Sequence, residues 1–187
     1  MLAMQFERVR AIISQPEEAW RKIKEEKTSA RQILIEYAAP LVLVPILSAC
    51  VRLILLRTRF ITFPFIFNLF LSSLVNYILY LTALLFAAWL ISILARYFSS
   101  KTDIDSAVKV VVYSMTPIWL SAVFQIFSRL SALGLLGLYS AYLLFSALPI
   151  VLETPGEKVV GFSAAVIGIG IVIMMYLSLI SGGIFYS

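Results

Sequence analysis

The sequence predicts an all-α polytopic membrane protein: a bundle of five transmembrane helices with an amphipathic, charged helical segment at its N-terminus. Two observations carry this. The first is the segregation of charge. No Asp, Glu, Lys or Arg occurs from Phe60 to Ala95, Val110 to Ser128, Leu130 to Leu152 or Val159 to Ser187. Each run matches or exceeds the roughly 18–20 residues a helix needs to cross a hydrocarbon core about 30 Å thick. The second is composition: 61% of the 187 residues are hydrophobic and the mean hydropathy is +0.99. Soluble domains average roughly 45–50% apolar. Inside lipid every backbone N–H and C=O must pair within the protein, which leaves helices or closed barrels. None of the runs sustains the polar–apolar alternation of a barrel strand, so they are helices.

Residues 1–31 read as a cytoplasmic helical segment. Leu2, Phe6, Val9 and Ile13 recur at three-to-four spacing, a stripe that suits a helix lying on a membrane surface or on its own bundle. Ser14-Gln15-Pro16-Glu17 restarts the chain, with Ser14 and Glu17 spaced as a capping box and Pro16 in a first turn. In the helix that follows, Trp20 and Ile23 share a face, ringed by Arg21, Lys22, Lys24, Glu25 and Glu26. Glu7, Arg8 and Arg10 stand where a cleavable signal would have its uncharged core, so the first span is expected to insert uncleaved.

The membrane bundle, residues 32–187, has its spans at about 33–55, 65–95, 107–127, 130–151 and 160–185. The first contains Pro40 and Pro45. The second is longer than one crossing needs, so it must tilt, kink or protrude. The third and fourth are joined closely at Ser128-Arg129, and the fifth follows a Pro155-Gly156 turn. Placing the N-terminus inside puts eleven Lys and Arg on the cytoplasmic side and four, Arg52, Arg57, Arg59 and Arg129, on the other. The positive-inside rule then sets the N-terminus in the cytoplasm and, after five crossings of the plasma membrane, the C-terminus outside.

The net charge of +5 does not indicate nucleic acid, because seven of the fifteen basic residues lie in the first 32 positions among five glutamates. Mixed charge beside a span fits anionic lipid better than a phosphate-tracking groove. Candidate interaction residues are Trp20, Glu36, Pro40, Asp105, Lys109, Pro117 and Trp119. Pro40 and Pro117 each free a carbonyl four residues back and bend a helix. Asp105 and Lys109 stand four apart and can pair. Asn68, Ser72 and Asn76 form a polar stripe on the second span, which Gln125 on the third could extend; such a stripe should face protein or water. Gly137-xxx-Ala141 and Ala164-xxx-Gly168 permit close helix contacts, within the chain or in a dimer. There is no histidine, a single cysteine (Cys50), and no phosphate loop or nucleophile elbow. No catalytic set, cofactor or metal site is expected.

Ser14-Gln15-Pro16-Glu17-Glu18-Ala19-Trp20 before the first span, Tyr113-Ser114-Met115-Thr116-Pro117-Ile118-Trp119 in the third, Leu138-Tyr139 in the fourth and the Pro155-Gly156-Glu157-Lys158 turn occur in an order that resembles the Ypt-interacting-protein (Yip) domain family. Glu36-Tyr37-Ala38-Ala39-Pro40 is similar to the Asp-Leu-Tyr-Gly-Pro motif of eukaryotic relatives, with the tyrosine shifted and the glycine missing. The resemblance implies five spans and a cytoplasmic N-terminus. Eukaryotic members bind Rab-type GTPases and other Yip proteins, and act in vesicle trafficking and membrane shaping. The short N-terminal segment points to a prokaryotic member. The expected function is a non-enzymatic membrane scaffold, its partners being membrane lipids and either a second copy or a protein met through the N-terminal segment. The alternative is a small oligomeric transporter or channel with a polar path along the second and third spans. A membrane enzyme acting on lipid comes third.

Overall fold

The structure is a computed structural model that describes residues 2–56 and 62–186, all helix and connecting turns. Arg57 and Arg59, which enter the charge count above, lie outside the described residues. Two short helices, α1 (Leu2–Ser14) and α2 (Pro16–Glu25), come first. Five segments long and apolar enough to cross a membrane follow: Ala30–Leu56, Phe63–Ala95, Ile104–Ile126, Ser128–Val151 and Gly156–Ile180. The chain is thus a multi-span membrane protein, with span limits within about five residues of those read from charge.

The second span is one unbroken helix, α4 (Phe63–Ala95), of 33 residues. At about 1.5 Å per residue it is about 50 Å long, well beyond a hydrocarbon core. The last, α8 (Gly156–Tyr186), is of similar length. Both turn apolar side chains such as Phe67, Phe70, Val172 and Met175 outward, as lipid-facing helices do. The third span is the opposite: 72% of its most apolar window is buried, against 17–33% in the others. It is the central post of the bundle.

Prolines account for the interruptions. In α3 (Ala30–Leu56), Pro40 has no N–H for the Glu36 carbonyl, and the chain responds with a π-turn over Ile33–Ala38, in which the Ala39 N–H reaches back to Leu34. In the third span, α5 (Ile104–Ser114) ends three residues before Pro117, which restarts the chain as α6 (Thr116–Ser121). Beyond α6 the path tightens into 3₁₀ helix over Ala122–Ile126 and Ser128–Leu138, before α7 (Tyr139–Val151). The second 3₁₀ run far exceeds the usual 3–4 residues. Its small residues explain how it is tolerated. Ser131, Gly134 and Gly137 recur every three, the 3₁₀ repeat, so they share one edge. A Cβ on Gly137 would come within 3.1 Å of Ser121 Oγ and 3.3 Å of Ile118 Cγ1, and one on Gly134 within 3.7 Å of Gln125. Gly137 therefore serves close packing inside the chain. Gly168, with nothing within 4 Å of such a Cβ, does not.

The expected capping box at Ser14 does not form. Ser14 is the last residue of α1 and its hydroxyl donates to the Arg10 carbonyl, while α2 is capped at Gln15 without a side-chain bond. A capping box forms instead at Ser29 and Gln32, starting α3. Asp103 caps α5, its Oδ2 accepting from Ser106 N–H at 3.0 Å and Ser106 Oγ at 2.8 Å. Partial burial pushes the Asp103 carboxyl up, but the bonds from Ser106 outweigh it and hold its pKa below the ordinary carboxylate value. A depressed folded pKa adds stability that is complete above the unfolded value of about 3.9 and is lost as pH falls through the folded one. Asp103→Ala is therefore expected to cost about 1 kcal/mol at neutral pH, with the gap to the parent closing as pH falls below the unfolded value and through the depressed folded one. Thermal unfolding in detergent across that range measures it.

Candidate functional site at the hairpin–bundle junction

The apolar face of α2, together with Ile12 at the end of α1, does not lie free. Ile12, Ala19, Trp20 and Ile23 belong to the same buried cluster as residues of α3, α4, α5, α7 and α8. Of the stripe read along α1, Val9 is half-buried against this cluster while Phe6 and Ile13 are 72% and 39% exposed, so it is α2, with Ile12, that lies on the bundle. Three contacts fix its position along α7: Tyr139 OH donates to the Ile13 carbonyl at 3.1 Å, Trp20 Nε1 to Ser146 Oγ at 3.1 Å, and Lys24 Nζ pairs with Glu153 at 2.9 Å. Residues 13–24 thus run beside 139–153 in the same direction, and α1 folds back so that Arg8 meets Glu26 at 2.6 Å.

Where this hairpin meets α3 and α5, polar and aromatic groups interlock. Arg8 Nη1 donates to Tyr113 OH while its guanidinium stands 5.5 Å from the Tyr113 ring centroid. Burial lowers the Arg8 pKa, but the Tyr113 hydroxyl and the Glu26 carboxylate more than offset it, so the guanidinium is held charged. Tyr113 packs edge-on against Trp20 at 6.3 Å and Tyr37 at 4.5 Å, and the Tyr37 hydroxyl meets Thr116 Oγ1 at 2.9 Å. Edge-to-face pairs of this kind add about 0.5–1.5 kcal/mol each beyond area burial.

Asp105 and Lys109 do not form the ion pair their spacing permits. Asp105 Oδ1 accepts the Ala30 N–H at 2.6 Å, and Lys109 Nζ donates to the Glu26 carbonyl at 2.5 Å. The exposed groups of the α2–α3 linker need partners, and these two side chains supply them from the first turns of α5. Lys109 is only 5% exposed, yet its charge is answered from across the fold rather than along its helix.

The remaining sequence candidates scatter. Trp20 and Trp119 are buried, Pro117 is buried at the start of α6, Pro40 is half-buried, and Glu36 is exposed with a partner of its own. Asn68 is exposed; Ser72 donates to the Asn68 and Leu69 carbonyls, and Asn76 Nδ2 to the Ser72 carbonyl at 2.9 Å. Gln125 lines a cavity of about 260 Å³ with Arg52, Ser48 and Tyr80, which stands one turn beyond Asn76 on the second span. Among the described residues no three His, Cys, Asp or Glu side chains are gathered as a metal site. The centre of the junction, Arg8, Glu26, Tyr37 and Tyr113, is not legible in the sequence, because each residue type there is ordinary and only the fold brings the four together.

A five-span helical chain with a helical hairpin packed along its fourth span is consistent with the motif order along the sequence, and comparison with family models identifies it. The model described as Yip1 domain matches residues 10–177, which takes in the last five residues of α1, all of α2, the first four spans and all but the last three residues of the fifth. Neither the curated proteins nor the solved structures contain a match. With nearly the whole chain matched, the protein belongs to the Yip1 domain family, whose members are generally non-enzymatic membrane trafficking proteins.

Proposed function

We propose that this chain is a non-enzymatic membrane scaffold of the Yip type, a prokaryotic member that organises membrane or recruits a partner through the outer face of α2. The reading sets it in the plasma membrane with the N-terminus cytoplasmic and the C-terminus outside. One observation carries it. The inner face of α2 is fixed to the bundle, while Glu17, Glu18, Arg21, Lys22 and Glu25 are all exposed on its outer face. A rigidly seated surface of both signs suits recognition of a charged protein surface, since a held side chain has less entropy left to lose on binding. Charge contacts of this kind set specificity and encounter rate more than affinity.

The double variant Arg21→Glu, Lys22→Glu is expected to lose partner cross-links formed from α2 in native membranes, with the melting temperature unchanged. The same cross-links at parental yield would overturn the proposal.

A further inference from the structure

A cavity of about 420 Å³ lies between α5, α6, α7 and α8, within the roughly 300–1,000 Å³ of small-molecule sites. Its lining is almost wholly apolar, and its outer wall carries Ile171 and Met175, 55% and 63% exposed on the lipid-facing side of α8. Two of its lining residues, Ser114 and Ser140, break a pattern. Several serine hydroxyls elsewhere in the spans satisfy themselves on a carbonyl three or four residues back, among them Ser48 on Val44, Ser73 on Leu69, Ser121 on Ile118 and Ser146 on Leu143. Ser114 and Ser140 are 1% and 5% exposed, and their hydroxyls have no partner among the described residues. A third such hydroxyl, on Ser163, does not line the cavity.

We propose that this cavity is a lateral binding site for one acyl chain of a membrane glycerolipid, with the ester carbonyl accepting hydrogen bonds from Ser114 and Ser140. Two buried hydroxyls offer donors where nothing in the chain takes them. The apolar lining and the exposed Ile171 and Met175 suit a hydrocarbon chain entering from the bilayer. An ester carbonyl is the acceptor a glycerolipid carries at the head of that chain. Gly170 also lines the cavity, and a Cβ there would meet nothing within 4 Å. A side chain can therefore start from this position without its Cβ displacing protein, and a large one is placed to occupy the site.

The test uses the full chain in phosphatidylcholine vesicles containing a trace of phosphatidylcholine with a diazirine-bearing acyl chain. Cross-linked peptides are read by mass spectrometry. Label is expected at Met174 and Met175, reduced at least fivefold by Gly170→Phe, with label on the open face of α4 around Phe67 and Phe70 unchanged. Ester-linked phosphatidylcholine should compete several-fold better than its diether analogue, which lacks the carbonyl. The double variant Ser114→Ala, Ser140→Ala should erase that preference. The ester–ether comparison on the parent chain needs no variant, so it decides even if a substitution prevents folding. Equal competition by the two lipids, parental labelling in Gly170→Phe, or a cross-link to a second copy in place of lipid would each overturn the site. None of these readouts involves the outer face of α2, so the site and the proposed function fail separately.

Discussion

Trp20→Ala is expected to be the most damaging single substitution outside the spans, costing about 3–5 kcal/mol. Trp20 is fully buried, packs edge-on against Tyr113 and donates to Ser146 from a different span. Truncation opens a cavity where α2, α5 and α7 meet, and leaves the Ser146 hydroxyl only its local Leu143 carbonyl. The chain in detergent should unfold at a markedly lower temperature, and trypsin should cut earlier within residues 8–31. Trp20→Phe keeps the ring packing and loses the indole donor, so it should recover most of the stability. An unchanged melting temperature for Trp20→Ala would mean that the hairpin is not part of the cooperative unit.

Lys109→Ala is expected to cost about 1–3 kcal/mol by leaving the Glu26 carbonyl without its donor. The effect should concentrate on the α2–α3 linker, because Lys109 and Asp105 together hold its two ends, at Glu26 and Ala30. Hydrogen exchange should rise across residues 26–32 and stay at parental levels in α4 and α8. Uniform acceleration across all five spans would contradict this, assigning Lys109 to global stability rather than to the linker.

The spans were legible because lipid imposes a rule the sequence must obey: long uncharged runs, ended by charge or by Pro-Gly. The interruptions at Pro40 and Pro117 were legible too, since a missing N–H acts locally. The 3₁₀ path from Ala122 to Leu138 was not read, although Ser131, Gly134 and Gly137 carry its period of three. The period was masked by the apolar run that marks a span of any helical type. The junction was hidden for another reason. Asp105 and Lys109 at i and i+4 read as a helix pair, and only the arrival of the linker beside α5 shows each to have a stronger claim on a backbone group. The capping box moved from Ser14 to Ser29 because α1 continues through Ser14, whose hydroxyl turns back along its own helix.

The hairpin also constrains the surrounding bilayer. From Tyr139 to Val151 is about 18 Å of rise along α7, and α2 runs beside most of that length with Glu17, Glu18, Arg21 and Lys22 facing out. Sinking those charges into acyl chains would cost about 2.5 kcal/mol or more apiece. On this flank the hydrocarbon boundary must stop near the hairpin turn, while α4 and α8 expose Trp89 and Val160 close to their ends at Ala95 and Gly156. The bilayer therefore meets the protein at two heights. A slanted collar of lipid, thinner on the hairpin side, follows from where one short charged helix is fastened.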